Sequence, residues 1–169
     1  MKKTTRILMA LLMAVFTGCR HRAPEYAVSE DALRITENGV SSYTIVIAPD
    51  APPATRYAAE ELQHWIMEMT DVELPVAAAE QAPEGPVILL GKSPASRAAA
   101  PDIDYAELGS EGAVLRTEEE NIIITGGEPR GVLYGVYALL EDHLGCRWYT
   151  PGVSKISTQI DISMHDEYG

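Results

Sequence analysis

The sequence predicts an α+β domain: strands assembled into a sheet, with two main helices packed on it, following an N-terminal export signal. Three observations carry this reading. Two stretches, ending at Met69 and Leu144, repeat apolar residues three and four apart, the period of a helix with one buried face. Short runs rich in Ile, Val, Leu and Thr have the length of strands. Gly-, Pro- and Asn-containing segments separate these runs at the places where a chain must turn.

In chain order, Ala32-Leu33-Arg34-Ile35 reads as a strand and Glu37-Asn38-Gly39 as a turn. Tyr43-Thr44-Ile45-Val46-Ile47, stopped by Pro49, completes a first hairpin. Pro52-Pro53 opens a long helix that should bury Tyr57, Ala58, Leu62, Trp65, Ile66 and Met69. Glu60, Glu61, Gln63, His64 and Glu68 take its other side. A short strand at Leu74-Pro75-Val76 and a loop from Ala77 to Pro86 follow.

Val87-Ile88-Leu89-Leu90-Gly91 is apolar on both faces, which places it in the middle of the sheet. The loop from Lys92 to Ser110 has room for a short helix. Strands at Gly112 to Thr117 and Asn121 to Thr125 flank the acidic turn Glu118-Glu119-Glu120 and form a second hairpin. A helix beginning near Pro129 buries Val132, Leu133, Val136, Leu139, Leu140 and Leu144, and Gly145 ends it. The segment Lys155 to Ile162 reads as an exiting strand.

The chain has 169 residues, with 13 basic and 25 acidic side chains and a net charge of −12. Such a surface repels phosphate backbones and anionic lipid heads, so nucleic acid is not an expected partner. About 150 residues after an export signal suffice for one domain with a hydrophobic interior, but not also for a (β/α)₈ barrel of about 250 residues.

Lys2, Lys3 and Arg6 precede the apolar run Ile7 to Phe16 and the small pair Thr17-Gly18, the order of a secretory signal over residues 1–18. The run is too short to span a bilayer. Cys19 directly after the small pair resembles the acylated cysteine of a lipobox, with Phe16 where Leu is usual. The resemblance implies a lipid anchor at Cys19, on the cell surface or the periplasmic side of a bacterial membrane. A soluble periplasmic product is the alternative. Residues 19–29 are polar and unpatterned, as a tether would be. Only Cys146 then remains, so no disulfide can form within the folded part.

Arg56-Tyr57-Ala58-Ala59-Glu60-Glu61-Leu62-Gln63, Leu74-Pro75-Val76 and Ile88-Leu89-Leu90-Gly91 resemble the N-terminal domain of family 67 α-glucuronidases and the related domain of family 20 hexosaminidases. Ile122-Ile123-Ile124-Thr125-Gly126-Gly127, Arg130-Gly131-Val132-Leu133-Tyr134-Gly135-Val136-Tyr137 and Leu144-Gly145-Cys146-Arg147-Trp148 carry the strongest part of the likeness. It covers Ala32 to Gly152, within a domain placed at residues 30–152. The resemblance implies a small mixed sheet with two helices on one side, preceding a catalytic (β/α)₈ barrel. Residues 153–169 would then lead toward that barrel, and the chain would be an accessory fragment acting in polysaccharide degradation.

The residues themselves offer no catalytic constellation. Glycoside hydrolysis needs two carboxyls about 5 to 9.5 Å apart across a cleft. Glu60-Glu61, Glu118-Glu119-Glu120 and Glu141-Asp142 are adjacent charges that read as solvated surface. His21, His64, His143 and His165 lack metal-ligand spacing, and neither a metal nor a cofactor is expected. Gly126-Gly127-Glu128-Pro129-Arg130-Gly131 lacks the Lys-Ser/Thr ending of a phosphate loop and reads as a structural turn. Gly131 and Gly135 should let their helix approach the sheet. Arg147, Trp148 and Tyr149 are the candidate contacts for a partner domain or a glycan. A free-standing surface lipoprotein that binds glycan or protein is the alternative to the accessory role.

Overall fold

A computed structural model describes residues 33–81, 84–150, 153–156 and 162–164. The export signal, Cys19 and the tether lie outside the described residues, as do His21 and His165.

Five strands make one mixed sheet: β2 (Thr44–Ile47), β3 (Val76–Ala78), β4 (Val87–Leu90), β5 (Ala113–Glu118) and β6 (Asn121–Gly126), in the order β3-β2-β4-β6-β5. β3, β2, β4 and β6 are parallel, and β5 closes the edge as an antiparallel hairpin partner of β6. β4 is the central strand, as its two apolar faces require. Ile45, Ile88 and Ile122 stand in register on one face, while Val46, Leu89 and Ile123 stand on the other.

The first face is covered by α1 (Pro53–Thr70) and α3 (Gly131–Ala138), the latter continued by a π-helical turn (Leu139–His143). Ala58, Leu62, Ile66, Met69, Val132, Val136, Leu139 and Leu140 form the buried layer there. The short α2 (Pro94–Ala99) supplies Ala95 and Ala99 to the second face, with Ala100 and Ile103 beside them. Its capping box joins Ser93 and Ser96 reciprocally, which explains how six residues hold a helix inside a predicted loop.

The first hairpin does not form. β1 (Leu33–Thr36) pairs antiparallel with β9 (Ile162–Met164), and only an isolated Glu37–Val40 bridge closes the intervening turn. The Ser41 hydroxyl donates to the Ile35 carbonyl at 2.6 Å and accepts from the Tyr43 amide at 3.0 Å, so it occupies groups that a hairpin ladder would use. Both edges of β2 are taken by β3 and β4. Of the exiting strand expected from Lys155 to Ile162, residues 157–161 lie outside the described residues. β7 (Arg147–Thr150) and β8 (Val153–Lys155) form a separate hairpin, and β9 turns back to β1.

The strand expected at Leu74-Pro75-Val76 starts only at Val76, because Pro75 has no N–H for the ladder, although its carbonyl accepts from Ile45 at 2.8 Å. Leu74 is fully buried. Ala77 and Ala78, expected in the following loop, belong to β3.

The Gly126–Gly131 segment connects β6 to α3 by close backbone packing. A Cβ on Gly127 would lie 1.7 Å from the Gly109 carbonyl oxygen, and one on Gly131 would lie 2.3 Å from that of Gly112. Gly135 sits against Ile124 Cγ2, at 2.7 Å from where its Cβ would be, which lets α3 lie directly on the sheet. The loop is filled by protein backbone at the place where a phosphate would have to enter.

Candidate functional site

The helices on the first face share a direction. α1 leaves β2 and α3 leaves β6, and these strands are parallel, so the two helices run side by side from the same end of the sheet. Along α1, Tyr57, Glu61 and Trp65 recur every four residues and form one stripe. The predicted burial of Tyr57 is not met, since it is 48% exposed; Ala59 and Thr55 are buried instead. The physical reason is the polar tip of the tyrosine, which keeps its hydroxyl in water while Glu61 lies one turn on.

Glu61 is therefore not the solvated charge that its neighbour Glu60 is. Its Oε2 accepts from the Tyr137 hydroxyl at 2.7 Å and from Trp65 Nε1 at 3.0 Å. Burial on its own would raise the Glu61 pKa, but the donors Tyr137, Trp65 and Tyr57 together bring it below the usual glutamate value. Burial, and next the carboxylate it bonds, push the Tyr137 hydroxyl pKa up. Tyr137 thus stays a neutral donor and Glu61 an ionised acceptor.

Trp148 reaches this cluster from β7. Its ring makes edge contacts with Trp65, centroids 5.3 Å apart, and with Tyr137, at 5.2 Å. Of the three candidate contact residues, the structure brings only Trp148 to the cluster. Arg147 is turned back onto its own helix end, its Nη1 donating to the carbonyls of Glu141 and Cys146, where a cation offsets the helix dipole. Tyr149 is 64% exposed and lies outside the ring contacts that join Trp65, Tyr137 and Trp148. Cys146 is fully buried, with its Sγ 3.5 Å from Met69 Sδ, and packs as a small apolar residue.

The stripe Tyr57–Glu61–Trp65 was present in the sequence at i, i+4 and i+8, but Glu61 reads as one of two adjacent charges until Tyr137 arrives from 76 residues away. Among the described residues, no group of three or more His, Cys, Asp or Glu side chains is placed to hold a metal ion. Also among the described residues, no helix is long and apolar enough to cross a membrane.

The sequence profile described as "Glycosyl hydrolase family 67 N-terminus" matches residues 25–139, more than half of the 169-residue chain. The chain belongs to that family. The match runs through β1 to the end of α3, so the five-stranded sheet and both main helices of this family 67 N-terminal domain lie within it. Among solved structures, one similar to it is described as a novel family GH115 4-O-methyl-α-glucuronidase with specificity for decorated arabinogalactans. The similarity has a TM-score of 0.45 and 18% identity, and it covers 60% of this chain and 13% of that one. The chain therefore corresponds to a small part of that structure's length. No curated protein matches the sequence.

The Glu61–Tyr137 bond ties α1 to α3, and its worth is measurable. Glu61→Gln and Tyr137→Phe, combined in a double-mutant cycle of denaturant melts, should show a coupling of about 1 kcal/mol. Because folding lowers the Glu61 pKa, its contribution is fully present above the unfolded-state value. It is lost as pH falls through the lower folded value. The stability gap between wild type and Glu61→Gln should therefore close in acid. A gap that is constant from neutral pH to strong acid would show that the ionised carboxylate contributes nothing.

Proposed function

We propose that this family 67 N-terminal domain is the accessory, non-catalytic part of an exported, membrane-anchored protein that degrades glycans, acting beside a separate catalytic domain. The observation that carries this reading is the family 67 N-terminus match over residues 25–139, which takes in the five-stranded sheet and both main helices. Hydrolysis of a glycosidic bond requires one carboxyl that is protonated and one that is ionised across a cleft. Glu61 accepts from Tyr137 and Trp65 and so joins α1 to α3, a role in the packing of the helices. The likeness to α-glucuronidases points to glucuronosyl-decorated polysaccharide as the substrate of the catalytic partner, expected to be a (β/α)₈ barrel. Export and anchoring rest on Lys2, Lys3 and Arg6, the run Ile7 to Phe16, and Cys19.

The full chain, incubated with aryl glycosides including an aryl α-glucuronide, should release no aryl alcohol above background. Turnover that disappears on replacing one of its own carboxylates would overturn the non-catalytic role. Translating the genomic DNA past the codon for Gly169 tests the partnership. A frame encoding a barrel supports it, and an unrelated gene removes it in favour of a surface lipoprotein that binds glycan or protein.

A further inference from the structure

We propose that the outer face of α1 and α3 is a binding strip for a neutral glycan chain. This goes beyond the accessory role and stands whether or not a catalytic partner exists. The strip has three levels. Tyr57 on α1 and Tyr134 on α3 occupy the first, one helical turn before the Glu61–Tyr137 bond that makes the second. Trp65 and Trp148, in edge contact, make the third. The eight helical steps from Tyr57 to Trp65 span about 12 Å, the length of a short oligosaccharide.

Its chemistry suits sugar rings. Pyranoses present apolar C–H faces to aromatic rings and hydroxyls to fixed acceptors. Tyr57 and Tyr134 are 48% and 41% exposed, so both rings are open to a ligand among the described residues. Glu61 is an acceptor whose lone pairs are not all used by its two donors, Tyr137 and Trp65, and the Tyr137 hydroxyl keeps acceptor capacity after donating to it. The edge contacts and the hydrogen bonds hold Trp65, Tyr137 and Trp148 in place before any ligand arrives, so little side-chain freedom is lost on binding.

Charge decides which glycan. Ionised Glu61 stands in the strip, Glu60 and Glu68 are exposed on the same helix, and the chain carries −12 overall. A uronate would be repelled there, so the occupant is an uncharged stretch of polysaccharide. The cations on the described surface that share a tyrosine are elsewhere: Lys92 and Arg97 flank Tyr105, at 5.4 and 4.6 Å from its ring centroid, beside α2.

The test is affinity electrophoresis of the full chain in native gels, with mild detergent for its apolar N-terminal stretch. The gels contain arabinoxylan, mixed-linkage β-glucan, galactan or polygalacturonate. At least one neutral polysaccharide should retard the chain. Replacing both exposed rings, Tyr57→Ala with Tyr134→Ala, should weaken retardation about tenfold, while Tyr149→Ala, at an exposed ring outside the two helices, should leave it unchanged. Circular dichroism checks folding of each variant. Should the pair fail to fold, Tyr134→Ala alone, at a side chain with no hydrogen bond to Glu61, must still weaken binding. Retardation by no neutral polysaccharide overturns the proposal, as does retardation that survives loss of the rings. Retardation by polygalacturonate alone also overturns it and points to Lys92 and Arg97.

Discussion

Gly127→Ala should destabilise the fold by about 3 kcal/mol or more, in the upper range for overpacking. The added methyl would lie 1.7 Å from the Gly109 carbonyl oxygen and 2.6 Å from its carbon, both backbone atoms that no rotamer change can move. Relief would require the loop through Leu108 and Gly109 to lift away. That movement would disturb the bond from the Gly112 amide to the Leu108 carbonyl at 2.9 Å and the one from the Gly127 amide to Gly112 at 2.9 Å. For a domain of this size the melting temperature should fall by roughly 10 °C. Gly39→Ala is the contrast. Nothing lies within 4 Å of its Cβ position, so only the left-handed backbone at φ +76° resists the change, a cost of about 1 kcal/mol. If thermal melts placed the two variants at the same temperature, the packing account of the Gly126–Gly131 loop would be wrong.

On the proposed export and anchoring, Cys19→Ser should move the chain from the membrane fraction to the soluble fraction and abolish incorporation of labelled palmitate. The thiol is the acylation point that the sequence from Thr17 to Cys19 implies, and serine keeps the size of the residue but not the nucleophile. The effect should be complete, because each buried CH₂ contributes about 0.8 kcal/mol and stable anchoring needs at least two acyl chains. The apolar run of the signal is too short to replace them. Label retained in the serine variant would place the anchor at another residue. A wild-type chain that takes up no label and remains soluble would leave only the periplasmic alternative.

The sequence by itself determined the two main helices and the central strands of the sheet. The spacing of Ala58, Leu62, Ile66 and Met69 marks the buried face of α1, and the run Val87–Leu90 marks a strand covered on both sides. Gly145, at φ +76°, ends the second helical stretch where a left-handed residue is needed. These features are local: each follows from the period of a side-chain pattern or the conformational range of one residue. Tertiary structure alone decided who pairs with whom. β1 gives up its neighbour in sequence for β9, because Ser41 takes hydrogen-bonding groups that the hairpin needed and β2 is enclosed by two parallel strands. Glu61 changes from a surface charge into the acceptor at the centre of an aromatic cluster, because the fold brings Tyr137 and Trp148 to the stripe that Tyr57 and Trp65 had already set. A one-dimensional pattern specifies which face of an element is apolar, whereas the partner of a hydrogen-bonding group is chosen by competition among groups far apart in the chain.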